Sequence, residues 1–141
     1  MLINLSAAGA SMLHAVIAMG GLSLVMFLWM YATRLPAMTK AKIDPQDAKH
    51  PGTYTLPSKV AQVADNYNHL FEAPALFYAI TIVIVLLGQA DQVHVICAWI
   101  YVVLRIAHSL IQATVNVVIV RFALFSLSWI ALGIMVVRAA L

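Results

Sequence analysis

Apolar residues run almost unbroken through four stretches of this chain, and the polar positions fall mostly between them. The first uncharged stretch covers about residues 7–32 and ends at Arg34–Pro36. The second apolar run goes from Leu70 to Gly88. Helical spacing over Lys59–His69, with no breaker, carries that helix back to Ser58 and predicts a span over about residues 58–88. Gly88, Gln89 and Asp91 mark a short turn. The third span covers about residues 92–113, and the fourth about residues 118–138, with Arg138 as a terminal anchor. About 20 apolar residues cross the hydrocarbon as one helix. The pattern therefore predicts an all-α membrane protein, a four-transmembrane-helix antiparallel bundle forming a single domain over residues 1–141.

Residues 33–57 break the pattern. This segment holds Pro36, Pro45, Pro51, Gly52 and Pro57 with much of the charge, which predicts an irregular, solvated loop. Arg34, Lys40, Lys42 and Lys49 lie in it and Lys59 just beyond, so these five of the eight basic residues place it in the cytoplasm by the positive-inside rule. Both termini and the Asp91 turn then lie on the non-cytoplasmic side. The uncharged N-terminal segment continues into an apolar run longer than a signal-peptide core of about 7–15 residues, and reads as a retained first span.

Composition agrees with membrane residence. Of the 141 residues 64% are hydrophobic and 9% charged, where a soluble domain carries about 25% charged residues. The net charge of +3 is a topology signal and not a groove for a phosphate backbone, so no nucleic-acid partner is expected. Cys97 is the single cysteine, which rules out an intrachain disulfide.

Against this background the ionisable residues inside the spans stand out, because each costs roughly 2.5–3.5 kcal/mol on insertion scales and marks a site by default. Asp65, His69 and Glu72 follow one another at i, i+4 and i+7 and share a helix face, bordered by Asn68, with Asn66 further round. Pro74 comes two residues after Glu72 and frees the carbonyl of Leu70, which reads either as a packing kink or as part of the polar cluster. On the third span Arg105, His108 and Gln112 share a face at i, i+3 and i+7. A permanently charged Arg105 needs a carboxylate or a bound anion, and Glu72 is the obvious partner. The set has two readings: an Arg105–Glu72 pair that fixes which helices touch, or an anion pocket lined by Arg105 and Arg121 with Glu72 holding an amine. His14 is expected at the membrane interface, while His50 in the loop and His94 near a membrane edge are both expected in solvent. Carboxylates and imidazoles also suit transition metals, and paired histidines suit haem, but the paired Glu-x-x-His pattern of di-metal bundles is absent and no metal ligand set is assigned. There is no phosphate loop, Gly-x-Ser-x-Gly or zinc motif.

Two motifs resemble the MAPEG family, the membrane-associated proteins in eicosanoid and glutathione metabolism. Arg105-Ile106-Ala107-His108, with Arg121 thirteen residues on, is similar to the prostaglandin E synthase branch. Asn68-His69-Leu70-Phe71-Glu72-Ala73-Pro74 resembles the core of bacterial members. The resemblance covers roughly Lys59 to Leu127. It implies four spans, a homotrimer and the bacterial inner membrane, with both termini non-cytoplasmic. It also implies glutathione as cofactor, bound between subunits. By position Glu72 holds the glutathione amine, Arg105 and Arg121 hold carboxylates, and Arg121 stabilises the thiolate with His108 nearby. Asp65, Asn68, His69 and Gln112 complete the cofactor-binding set.

This chain departs from the family pattern in places. Asp65 stands where the second-helix arginine should be, and His69 where its asparagine should be. Gln112 replaces a frequent tyrosine, and Phe122 a serine. Reduced or lost glutathione affinity is the expectation. Two functions follow: a glutathione-dependent transferase or peroxidase acting on lipophilic electrophiles that enter from membrane lipid, or a non-catalytic accessory, lipid- or quinone-binding subunit, on its own or in a larger membrane complex.

Overall fold

A computed structural model describes residues 5–49, 52 and 54–141. Its helices are α1 (Ala7–Lys40), α2 (Ser58–Glu72), α3 (Pro74–Leu86), α4 (Gln92–Ala113) and α5 (Val118–Ala140), with a short 3-10 turn at Pro45–Lys49. α2 and α3 together make one crossing, so four helical segments are long and apolar enough to span a membrane. The predicted all-α, four-span bundle is what the chain forms, and the protein is an integral membrane protein.

Local chemistry accounts for the ends. Ser6 accepts the Gly9 amide at 3.0 Å and Asp91 accepts that of His94 at 2.9 Å, each capping a helix start. α3 closes with Gly88 at φ 68°; the Gly88 amide donates to Val85 and that of Gln89 to Ile84. α1 closes the same way without a glycine. Lys42 takes φ 52° while its amide donates to Thr39 and the next amide to Met38.

The end of α1 departs from expectation. The helix does not stop at Arg34–Pro36 but runs through Pro36 to Lys40. Proline removes one donor and costs the carbonyl of Ala32 its helical partner, yet the turns on either side hold. Their hydroxyls bond back along the helix: Thr33 to Trp29 and Met30, Thr39 to Leu35. The irregular segment is thus shorter than residues 33–57. At its far end Tyr54 accepts a hydrogen bond from Arg34, which ties the loop to the helix it follows. His50, expected in solvent, lies outside the described residues.

α4 is the central helix. Cys97, Ala98, Tyr101, Val102, Arg105, His108, Ser109 and Gln112 recur along its buried face. α1 packs against α2, α3 and α4 with a buried stripe of Met12, Ala15, Met19, Met26 and Met30, where flexible thioethers fill irregular gaps. Phe77 of α3 stacks on Tyr101 with ring centres 4.3 Å apart. The Tyr101 hydroxyl donates to the carbonyl of Ala73 at 3.4 Å, at the break that Pro74 makes between α2 and α3. Apolar burial hardly favours helix contact over lipid, so these ring, small-residue and polar contacts set the packing. The outward face is apolar, with Ile17, Leu24, Leu28, Val103, Leu110 and Ile119 exposed, as a lipid-facing belt requires. Gly20, Gly21 and Gly133 face open space within the chain, whereas Gly9 packs near Val85.

Candidate functional site

α2, α4 and α5 converge near the loop-side end of the bundle. Gln62 fastens α2 to the end of α4 there, its amide donating to the carbonyls of Ala113 and Thr114 at 3.0 and 2.9 Å. One and a half to two turns deeper, His69 of α2 stacks on His108 of α4, with centroids 5.3 Å apart and an interplanar angle of 18°. Phe125 of α5 covers both rings, at 5.4 Å from His69 and 6.3 Å from His108. Arg105 sits behind them with no solvent exposure, its guanidinium 5.7 Å from the Phe125 ring centre.

Arg105 does not meet Glu72. Its Nη2 lies 3.2 Å from Nδ1 of His69, and no carboxylate pairs with it among the described residues. An arginine has no lone pair to offer, so this contact fixes the tautomer: Nδ1 accepts and the proton of a neutral His69 resides on Nε2. Nε and Nη1 of Arg105 have no partner among the described residues. A buried guanidinium with two idle donor atoms and no counter-ion is an anion site in waiting.

Arg121 reaches the same place from the first turn of α5. It donates to the side chain of Asn116, whose own φ of 52° ends the α4–α5 turn. His69, His108, Val118, Arg121, Phe122 and Phe125 enclose a pocket of about 200 Å³. Cationic and imidazole groups are interleaved with apolar ones: Val118 and Phe122 neighbour Arg121 on α5, and Phe125 lies against both imidazoles. No carboxylate lines it.

The remaining predicted residues divide. Asp65, Asn68 and Glu72 are exposed on the outer side of α2 and do not line this pocket. Gln112 is buried with Oε1 unpartnered, but it too lies off the pocket. The reason is a helix rotation. Val63, Asn66 and Leu70 face the core, so His69 falls on the inward margin of the polar face while Asp65 and Glu72 point away. Asn66, placed further round by the sequence reading, is fully buried with neither amide atom partnered. The Val63–Leu70–Phe77 apolar stripe carries that signal. His94, expected at an exposed edge, is 2% exposed. Phe125 and Asn116 carried no motif.

The chain matches the MAPEG family model over residues 12–141. It belongs to the MAPEG family. No curated protein and no solved structure matches it. The match extends the resemblance of Lys59–Leu127 through most of α1 and to the end of α5. A MAPEG protein is associated in general with glutathione. In this one Arg105, His108 and Arg121 lie close together, His69 joins them, and Glu72 stands apart on the outer face.

Proposed function

We propose that this MAPEG protein is a glutathione-dependent transferase or peroxidase acting on lipophilic electrophiles, working as a homotrimer. The observation that carries the reading is the carboxylate-free pocket of His69, His108 and Arg121 with unpaired Arg105 behind it. Its donors fit an anionic group. A volume of about 200 Å³ lies below the roughly 300–1,000 Å³ of ligand clefts, so the pocket suits the thiol end of the tripeptide and not the whole. The rest would extend along the outer side of α2, where Asn68 and Glu72 are exposed and Glu72 can accept from the amine.

That arrangement calls for a second wall. Twenty residues at 1.5 Å each, counted back from Leu86, reach about residue 67, which puts Asp65 at headgroup level and Glu72 about 7 Å inside the hydrocarbon. A carboxylate exposed there to lipid is costly. A neighbouring copy of the chain would cover it and complete the site, which supports the trimer. The basic loop supports an orientation with both termini outside, and the likeness of residues 68–74 to bacterial members supports a bacterial inner membrane.

Bound glutathione supplies the nucleophilic sulfur. Arg121 favours its thiolate form through its own charge and through the amide dipoles at the start of α5. Asn116 holds the guanidinium in place, and Arg105 adds positive potential from within the bundle. His108 offers a hydrogen bond beside the sulfur. Val118, Phe122 and Phe125 exclude water and receive the apolar part of a substrate arriving from lipid. Turnover of a lipophilic aryl halide with glutathione is expected to fall about a hundredfold or more in Arg121→Ala while the oligomer mass is kept. Full turnover in that variant would contradict the mechanism.

The reversed charge at Asp65 favours a second reading, an accessory or lipid- or quinone-binding subunit. It predicts no response to any small thiol and a copurifying lipid or quinone.

A further inference from the structure

A cavity larger than the His69–Arg121 pocket lies at the other end of the bundle. Fourteen residues of α4 separate His94 from His108, or about 21 Å along the helix. Around His94 a cavity of about 870 Å³ opens between the start of α4 and the last turns of α5. Ile130, Gly133, Ile134 and Val137 form its apolar wall, and Asp91, His94 and Arg138 its polar end.

That end is built and incompletely satisfied. Asp91 uses Oδ1 to cap α4 and Oδ2 to accept from Arg138 Nε at 2.6 Å. His94 is 2% exposed, and its Nε2 has no hydrogen-bond partner among the described residues. Its Nδ1 lies 3.0 Å from Asp91 Oδ1 without being aligned to bond it. A buried imidazole with an idle nitrogen, bordering a cavity, is a group that a ligand would satisfy. Both charges stay partly accessible, with Arg138 49% and Asp91 37% exposed.

We propose that this cavity binds a zwitterionic phospholipid with a primary-amine headgroup, one molecule per chain. The position fits an amphiphile, since the polar end lies at the helix termini, level with headgroups, and the apolar wall runs inward along α5. The charge fits a zwitterion, since Arg138 faces a phosphate and Asp91 an ammonium, and the pair together is neutral. The hydrogen-bonding chemistry fits a primary amine, because Asp91 is an acceptor and a quaternary ammonium has no N–H to give it. His94 Nε2 completes the set from the buried side. Gly133 holds the wall open: a Cβ placed there meets nothing within 4 Å.

The test is native mass spectrometry of the purified full chain with dioleoyl-phosphatidylethanolamine, -phosphatidylcholine and -phosphatidylglycerol, and with soluble phosphoethanolamine. Retention of one phosphatidylethanolamine per chain, about tenfold above the other two lipids and the tailless headgroup, is expected. Gly133→Leu, which fills the cavity, and Arg138→Gln, on an exposed side chain, should each lower that retention about tenfold with lipid-free melting unchanged in Gly133→Leu. Equal retention of the three lipids overturns the proposal, as does undiminished binding in Gly133→Leu. Equal binding of soluble phosphoethanolamine would show a headgroup site with no need of a lipid, and overturns it as well. A lower oligomer mass in Gly133→Leu would show that a second copy fills the cavity, and overturns it too.

Discussion

Arg105 and His69 face each other across the α2–α4 contact, guanidinium Nη2 to imidazole Nδ1 at 3.2 Å, with Arg105 wholly buried. The pairing joins a permanent cation to a neutral acceptor. It leaves the charge itself uncompensated, which separates this site from an ion pair that merely locks two helices.

A stability test follows from that difference. Arg105→Met removes a buried charge without stranding a carboxylate. Its melting temperature in detergent should therefore hold or rise, by analogy with buried ion groups whose apolar replacement is neutral or stabilising by about 1–4 kcal/mol. Stabilisation by added glutathione should be lost in the same variant. A marked fall in lipid- and thiol-free melting would show that the guanidinium is structurally required.

Glu72→Gln should likewise spare the fold and weaken glutathione binding. Glu72 is exposed and makes no ion pair within the chain among the described residues, so the bundle should melt as before. Glutathione affinity should fall about tenfold or more, since a charge partner of the amine is removed. Isothermal titration together with light scattering separates lost affinity from lost assembly.

Asp91 supplies the pH dependence. The His94 amide it accepts, and then Arg138, hold its carboxyl at about 2 against an ordinary 3.8. A carboxyl depressed on folding contributes stability that is fully present above its unfolded value and is lost as pH falls through the folded one. Melting temperature should therefore drop between about pH 4 and pH 2 through this group, and Asp91→Asn should flatten that part of the profile. An unchanged acid limb in Asp91→Asn would contradict the assignment.

Tyr101→Phe isolates the polar tie at the α2–α3 break. It keeps the stack on Phe77 and removes the hydroxyl that donates to Ala73, so a loss of about 0.5–1.5 kcal/mol is expected from denaturant titration. A cost several times larger would mean that this bond controls the kink geometry.

Much of the fold was legible because apolar runs of this length have few other solutions. The exception was α1, where Pro36 reads as a stop while flanking hydroxyl and helical bonds carry the turn onward. The polar site was legible in part. Periodicity groups residues onto faces correctly, but it does not say which face turns inward. Glu72 was therefore paired with Arg105 when the core stripe of Val63, Asn66 and Leu70 turns it outward. His94 was misjudged because its burial depends on packing between the two distant ends of α4 and α5, with Asp91 and Arg138 47 positions apart. No local pattern encodes that meeting.

The most direct measurement is ultraviolet absorbance of the purified protein during glutathione titration, comparing the wild type with Arg121→Ala. A saturable thiolate signal that vanishes in the variant is the predicted result. No signal at millimolar glutathione, or the same signal in both proteins, would contradict a thiolate site at Arg121.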